Sequence, residues 1–236
     1  MSHHPSLDML EAYALVQLDI GHSIAVSAHL EFCPACRNQL FRCEELAGQQ
    51  LHNQCAMEVH DGGLDAHDAN AEKVNWEQML TQITDLPQQR AKASSPALLY
   101  APTIDVNGVR LRVPKALHHL LNGRAEWRSY AGKVYSLPLH SESASRVNLL
   151  YIGANVMVPQ HTHKGTESTL VLHGGFSDED GEYHAGDFLM RDASIKHSPH
   201  TSVGQDCLCL TVLTDTMVFT QGIARLFNLF GRGVYP

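Results

Sequence analysis

The sequence predicts a multidomain α + β protein: a small metal-clasped helical bundle over residues 1–86, a linker over 87–97 and an all-β barrel over 98–236. Three observations predict it. Residues 29–36 read His-x3-Cys-x2-Cys, three soft or borderline metal ligands close together in helix-forming sequence. From Leu98 on, short β-branched runs recur between turn dipeptides, the pattern of a sandwich or barrel. Charge divides the chain in the same way: residues 1–90 hold 13 Asp/Glu and 4 Lys/Arg, a net of −9, whereas residues 91–236 hold 12 and 13, a net of +1.

The helical half begins at Ser6, which can cap a helix with Leu7, Leu10, Ala14 and Leu18 on one face. Gly21 is expected to end it. A second helix runs from about Ser23 to Phe32. Pro34 disfavours the α conformation at Cys33 and suits the first position of a third helix. Cys33 is then the N-cap and Cys36 the third helical residue, so both thiolates sit at a helix start, where partial positive charge favours them. His29 lies in the last turn of the preceding helix. Zn²⁺ takes four such ligands in a closed tetrahedron, and His4, 25 residues before His29, is the candidate for the fourth, with His3 as its rival. Cys-x2-Cys also occurs as a bare redox pair. Helix three continues through Leu40, Phe41, Glu45 and Leu46. Residues 53–71 are polar and read as a loose connection around Asp61-Gly62-Gly63. A further amphipathic helix, Ala71 to Asp85, carries Val74, Trp76, Met79, Leu80 and Ile83. The stretch from Leu86-Pro87 to Pro96 reads as linker.

The β half is punctuated by Asn107-Gly108, Asn122-Gly123, Ala131-Gly132, Gly174-Gly175 and Asp180-Gly181. One helix, Val113 to Leu121, interrupts it, and Thr220 to Phe230 reads as a helix or an edge extension. His161 and His163 lie two apart, so on a strand both point to one face. Lys164-Gly165 allows a turn, and Glu167 opens the next strand. Two histidines and a carboxylate form an open metal site, for Zn²⁺ or another divalent transition metal. His197, 30 residues past Glu167, is the expected fourth ligand on a later strand, with His184 and His200 as alternatives. Cys207 and Cys209 share a strand face. They read as small core residues or as a redox pair.

Composition narrows the class. The 236 residues are 44% hydrophobic, enough for a packed core. No run of 18 apolar residues predicts a transmembrane helix, and no basic-then-apolar start predicts a signal peptide. A cytoplasmic setting, with reduced cysteines, is expected. The acidic helical half argues against nucleic-acid binding, including a zinc-dependent DNA-binding factor, and suits a basic protein partner.

The His29/Cys33/Cys36 spacing with an upstream histidine and short helices resembles the zinc-binding anti-sigma domain. The resemblance covers about residues 4–85 and implies Zn²⁺ on His4, His29, Cys33 and Cys36. It also implies an extracytoplasmic-function sigma factor as partner, gripped in part by the Ala71 to Asp85 helix. The His161-x-His163-x3-Glu167 run, with Gly153 before it and Gly174 after it, resembles the first cupin motif. Gly181, Gly186 and His197 form a looser second motif, with Ala185 where a proline is usual. A zinc-binding anti-sigma domain followed by a cupin resembles the ChrR-type anti-sigma factors. That resemblance implies inhibition by the helical part and response to singlet oxygen or related oxidants through the cupin. The runner-up is a cupin metalloenzyme, dioxygenase-like, with a regulatory zinc module.

Overall fold

The computed structural model describes residues 3–61, 75–86, 102–121, 126–139, 145–221 and 225; for 55–61 it describes the backbone only. Residues up to Ala47 and those from 102 onward belong to one compact unit, and Gly48–Tyr100 form a second. The expected linker 87–97 and the turn at Asn122-Gly123 lie outside the described residues, as does most of the expected Thr220 to Phe230 element.

Helix α1 spans Leu7–Ala14, with Ser6 Oγ accepting from the Met9 amide at 3.2 Å. It ends a turn earlier than expected, and Val16 takes a positive φ of 57° beyond it. Helix α2, Ile20–Phe32, starts earlier than expected because Asp19 caps it, accepting from the amides of Gly21 and His22. Gly21 is therefore not a stop. It is a point of close approach between α2 and the barrel: a Cβ there would overlap Ser145 Oγ and press on Val147 and Val212. Cys33 is extended at φ −109°, as the following proline requires, and caps α3 (Pro34–Asp61). Its sulfur accepts from the Cys36 amide at 3.4 Å. Cys36, Leu40 and Cys43 are buried on one face of α3, while Phe41 and Leu46 are exposed. The helix runs on to Asp61, the last described residue of this stretch, through sequence read as a loose connection.

In the second unit, α4 (Trp76–Thr84) is capped by Asn75, whose side chain accepts from the Gln78 amide at 3.1 Å. Residues 71–74 of the expected longer helix lie outside the described residues.

The barrel opens with a hairpin, β1 (Thr103–Val106) and β2 (Val109–Arg112), turned at Asn107-Gly108. A 3-10 helix, Lys115–Leu121, stands close to the expected helix. The main strands are β3 (Arg128–Tyr130), β4 (Val134–Leu139), β5 (Arg146–Ile152), β7 (Glu167–Ser177), β8 (Glu182–His184), β9 (Phe188–Arg191) and β10 (Cys207–Leu213). They form one sheet in the order β3-β4-β5-β10-β7-β8, with β9 also on β7. A second sheet pairs β6 (His161–His163) with β11 (Met217–Phe219). Gly174 does not break the chain as expected. It lies inside the eleven-residue β7 at φ 64°, near the point where the register with β10 shifts. A side chain at Gly174 would meet the Asp206 carbonyl.

Strand parity sorts the core into two layers. Leu208, Leu210 and Val212 of β10 point outward and pack with Leu10, Ala25 and Val26 of the helices. Cys207 and Cys209 point inward with Val171, Phe176, Tyr183 and Leu189. Covered on both sides, β10 is buried along its whole length.

Candidate metal centres

The helix corner brings four donor atoms together. One atom each of His4, His29, Cys33 and Cys36 lies within 4.8 Å of the others. His29 Nε2 stands 3.3 Å from Cys36 Sγ, and His4 Nδ1 stands 3.4 Å from both sulfurs. Metal–ligand bonds of about 2.0–2.3 Å give tetrahedral edges of about 3.3–3.8 Å, so the set fits a four-coordinate ion. His29 is aimed by the barrel: its Nδ1–H donates to the Gly186 carbonyl at 2.9 Å, which turns Nε2 toward the sulfurs. His3, the rival of His4, is placed elsewhere. Its amide donates to Asp187 Oδ1 at 3.2 Å and its ring meets Tyr183 edge-on.

Burial pushes the Cys36 thiol up to about 12, and the neighbouring Cys33 adds to the rise. Without a metal, burial therefore favours the Cys36 thiol over its thiolate. Filling this cluster has to expel a proton, which makes its affinity fall with acidity.

The barrel cluster gathers His161, His163, Glu167 and His197, all buried, again within 4.8 Å. The first two come from β6 and Glu167 opens β7, as the spacing predicts. His197 lies on no strand proper. It is held by a two-residue bridge in which His161 and His197 exchange amide-to-carbonyl bonds, each 3.1 Å. The alternatives lie outside the cluster: His200 Nε2 contacts Ser177 Oγ at 3.1 Å, and His184 is exposed on β8.

His161 Nδ1–H donates to the Pro159 carbonyl at 2.9 Å. Both ring nitrogens of His163 and Nε2 of His197 are buried without a hydrogen bond. His163 Nε2 lies 3.0 Å from Glu167 Oε2, close but not aligned for one. Unsatisfied buried nitrogens converging on a carboxylate are costly alone and are what a metal ion satisfies. Burial works against ionisation of Glu167, but the His163 contact and the surrounding rings outweigh it and bring the carboxyl to about 2.

The groups behind His197 carry no motif in the sequence. Arg191 Nη1 donates to His197 Nδ1 at 2.6 Å, and Arg191 Nη2 lies 2.5 Å from Asp178 Oδ2. Nη2 also donates to the Tyr183 hydroxyl at 3.0 Å. The side chains of Arg191 and Asp178 are 8% and 0% exposed, a buried ion pair. A cation two residues past inward-facing Leu189 was the available signal.

Cys207 and Cys209 face each other inside the barrel, with sulfurs 3.4 Å apart. The Cys207 contact and then burial push the Cys209 thiol well up, which makes it a poor nucleophile.

Two rings give the metal-free protein a pH signature. Burial holds His29 down to about 4, with His4 adding to it against the Gly186 carbonyl. Burial and then His197 bring His161 to about 4 as well. The unfolded chain protonates these rings near pH 6.5 and the folded chain only near pH 4. Their contribution is complete above pH 6.5 and is lost as pH falls toward 4. Urea unfolding in chelator should show a loss of about 2 kcal/mol per ring between pH 7 and pH 4.5. An unchanged midpoint would refute the buried neutral rings.

Residues 119–216 match the family model described as the ChrR cupin-like domain. The chain is 29% identical to the anti-sigma-E factor ChrR of Cereibacter sphaeroides over 231 residues, 98% of each chain. It is 26% identical to a chain in the crystal structure of Rhodobacter sphaeroides SigE in complex with the anti-sigma ChrR. That match has a TM-score of 0.60 and covers 89% of this chain and 98% of that one. An RmlC-like cupin protein from Ralstonia eutropha is 20% identical with a TM-score of 0.39, over 43% of this chain and 71% of that one. Among the described residues no helix is long and apolar enough to cross a membrane.

Proposed function

We infer that this chain is a ChrR-type anti-sigma factor, a regulatory binding protein that holds an extracytoplasmic-function sigma factor inactive. The observation that carries this is likeness from end to end: the 29% identity spans 98% of both chains, through the helical part as well as the barrel. A match to the barrel alone would have left the partner open. Zinc is assigned to the His4, His29, Cys33 and Cys36 cluster, because two thiolates and two imidazoles at tetrahedral spacing suit it. His161, His163, Glu167 and His197 are assigned to zinc or another divalent transition metal. Residues 1–86 are taken as the sigma-binding part and 98–236 as the sensing cupin, joined by the 87–97 linker. The signal assigned to it is singlet oxygen or a related oxidant, in the cytoplasm. Cys207 and Cys209 are kept as core residues, their burial arguing against a redox role.

Exposed apolar side chains support the partner. Trp76, Met79, Leu80 and Ile83 repeat at helical spacing along α4, and all are exposed. Such a stripe on an acidic segment suits an amphipathic helix laid on a basic, apolar-grooved partner. The chain should co-purify with a co-expressed extracytoplasmic-function sigma factor of its own organism under reducing, zinc-replete conditions. Leu80→Glu should weaken that complex at least about tenfold, the cost of losing one buried anchor. Failure to form a complex would sink the reading, and full binding by Leu80→Glu would remove α4 from the interface. An oxygenase is the weaker alternative, because four protein donors leave few positions on a barrel metal for substrate.

A further inference from the structure

One six-residue segment reaches both clusters, each at a different end. It runs from Gly186 to Arg191, the turn after β8 and the whole of β9. At one end, the Gly186 carbonyl accepts from His29 Nδ1 at 2.9 Å. Asp187 is 1% exposed, and its carboxylate accepts from two amides: His3 at 3.2 Å and His184 at 2.9 Å. The Phe188 amide donates to the His3 carbonyl at 3.0 Å, and its ring meets the His29 ring edge-on. His4 follows His3 directly. Two of the four donors at the helix corner are thus positioned by barrel backbone and one barrel carboxylate.

At the other end, Arg191 pairs in register with Glu167 and reaches His197 Nδ1. A guanidinium only donates, so this contact needs a bare Nδ1 and leaves the ring proton on Nε2, the nitrogen that faces Glu167 at 3.6 Å. With the proton on Nδ1, the ring's partner becomes Asp178 Oδ2, 3.4 Å away, and Arg191 Nη1 loses the ring as acceptor while Nη2 keeps Asp178 and Tyr183. A cation held at Nε2 favours the second arrangement. Tyr183 lies between the two ends, taking Arg191 Nη2 on its hydroxyl and the His3 ring on its face. His3, His4, Met9, Tyr183, Phe188 and Arg191 line one cleft of about 490 Å³.

We propose that Gly186–Arg191 is a positioning segment shared by the two clusters, so that the arrangement around His197 sets how firmly the helix corner holds its metal. Asp187 is the positioning residue at the corner and Arg191 the one at the barrel. This rests on the metal-holding reading of both clusters. It adds a physical route between them within the barrel edge.

The test loads the full chain with Co²⁺, because thiolate-to-cobalt absorption reports the Cys33/Cys36 cluster and not the His/Glu one. The rate at which chelator removes that band is then followed at one and at two equivalents of metal. A further sample carries His161→Ala with His163→Ala. The rate should differ about tenfold between the barrel-filled chain and the barrel-disabled one, as for loss of a ligand-orienting contact. Asp187→Asn should raise it similarly, and combining the two changes should give less than the product of their effects. The comparison of one and two equivalents needs no substitution, so it stands even if a variant folds poorly. An identical rate in every sample overturns the coupling. Absence of the thiolate band in the unmodified chain overturns the metal-site reading beneath it, a separate result.

Discussion

Cys36→Ser is expected to cost the chain one metal ion and its hold on the sigma factor. Cys36 Sγ forms two of the short edges of the helix-corner cluster, to His29 Nε2 at 3.3 Å and to His4 Nδ1 at 3.4 Å. A serine hydroxyl does not ionise at neutral pH and is a hard donor, so it replaces neither the charge nor the bond. Apparent binding free energies of structural zinc are about 10–16 kcal/mol in peptides that have no other core. Here the helices also lean on the barrel through Leu10, Ala25 and Val26, so the barrel should survive. The corner between α2 and α3 should loosen, because Cys33 is extended and loss of the cluster leaves the two helices to contacts such as the exposed hydrogen bond from Arg37 Nη1 to the Leu30 carbonyl at 2.5 Å. Metal analysis should show one ion fewer per chain. Binding of the sigma factor should fall by about 100-fold or more, the equivalent of about 3 kcal/mol. Unchanged metal content together with unchanged inhibition would remove Cys36 from the donors.

How far the sequence reached depended on the range of the cause. His29, Cys33 and Cys36 were legible because Pro34 fixes the corner locally, and the structure has Cys33 extended and Cys36 in the first turn of α3. His161, His163 and Glu167 were legible because strand parity is a local rule and Lys164-Gly165 marks the turn. His197 was harder. Its place comes from a two-residue bridge to His161, a pairing between distant segments that leaves no trace in spacing. Gly21 departs from its expected role as a stop for the same kind of reason. A glycine looks like a stop until a barrel wall is known to lie against it, and Asp19, the true cap, draws part of its anchorage from Ser145 at 2.6 Å. Gly174 lies in a strand and not at the expected turn because a bulge within a long strand uses the same residue as a hairpin. Asp178, Asp187 and Arg191 have no motif. They matter through what they aim, and that is visible only once the fold has brought them to His197 and His3.

Asp178→Ala is the second large effect. Asp178 is fully buried at its side chain, and burial alone would raise its carboxyl. The contact with His197, the hydrogen bond from the Asp180 amide and the Arg191 charge outweigh burial and bring it to about 2. Removing it leaves a guanidinium that is 8% exposed with no carboxylate of its own depth. Breaking one side of such a pair costs about 3–5 kcal/mol, more than removing both sides. Asp180 lies 3.7 Å from Arg191 Nη2 but is 58% exposed at its side chain, so water screens most of what it can return. Asp178→Ala with Arg191→Leu should therefore be more stable than Asp178→Ala alone, a sign reversal that simple loss of contacts does not produce. Metal content separates this from a purely structural role. Without Asp178 the His197 ring loses the acceptor for an Nδ1 proton, so the barrel cluster should bind divalent metal about 10–100-fold more weakly. The double variant should regain stability and not affinity, because leucine restores packing but supplies no acceptor. Recovery of both together would place the Asp178–Arg191 pair in the core alone and leave His197 to be aimed by its bridge to His161.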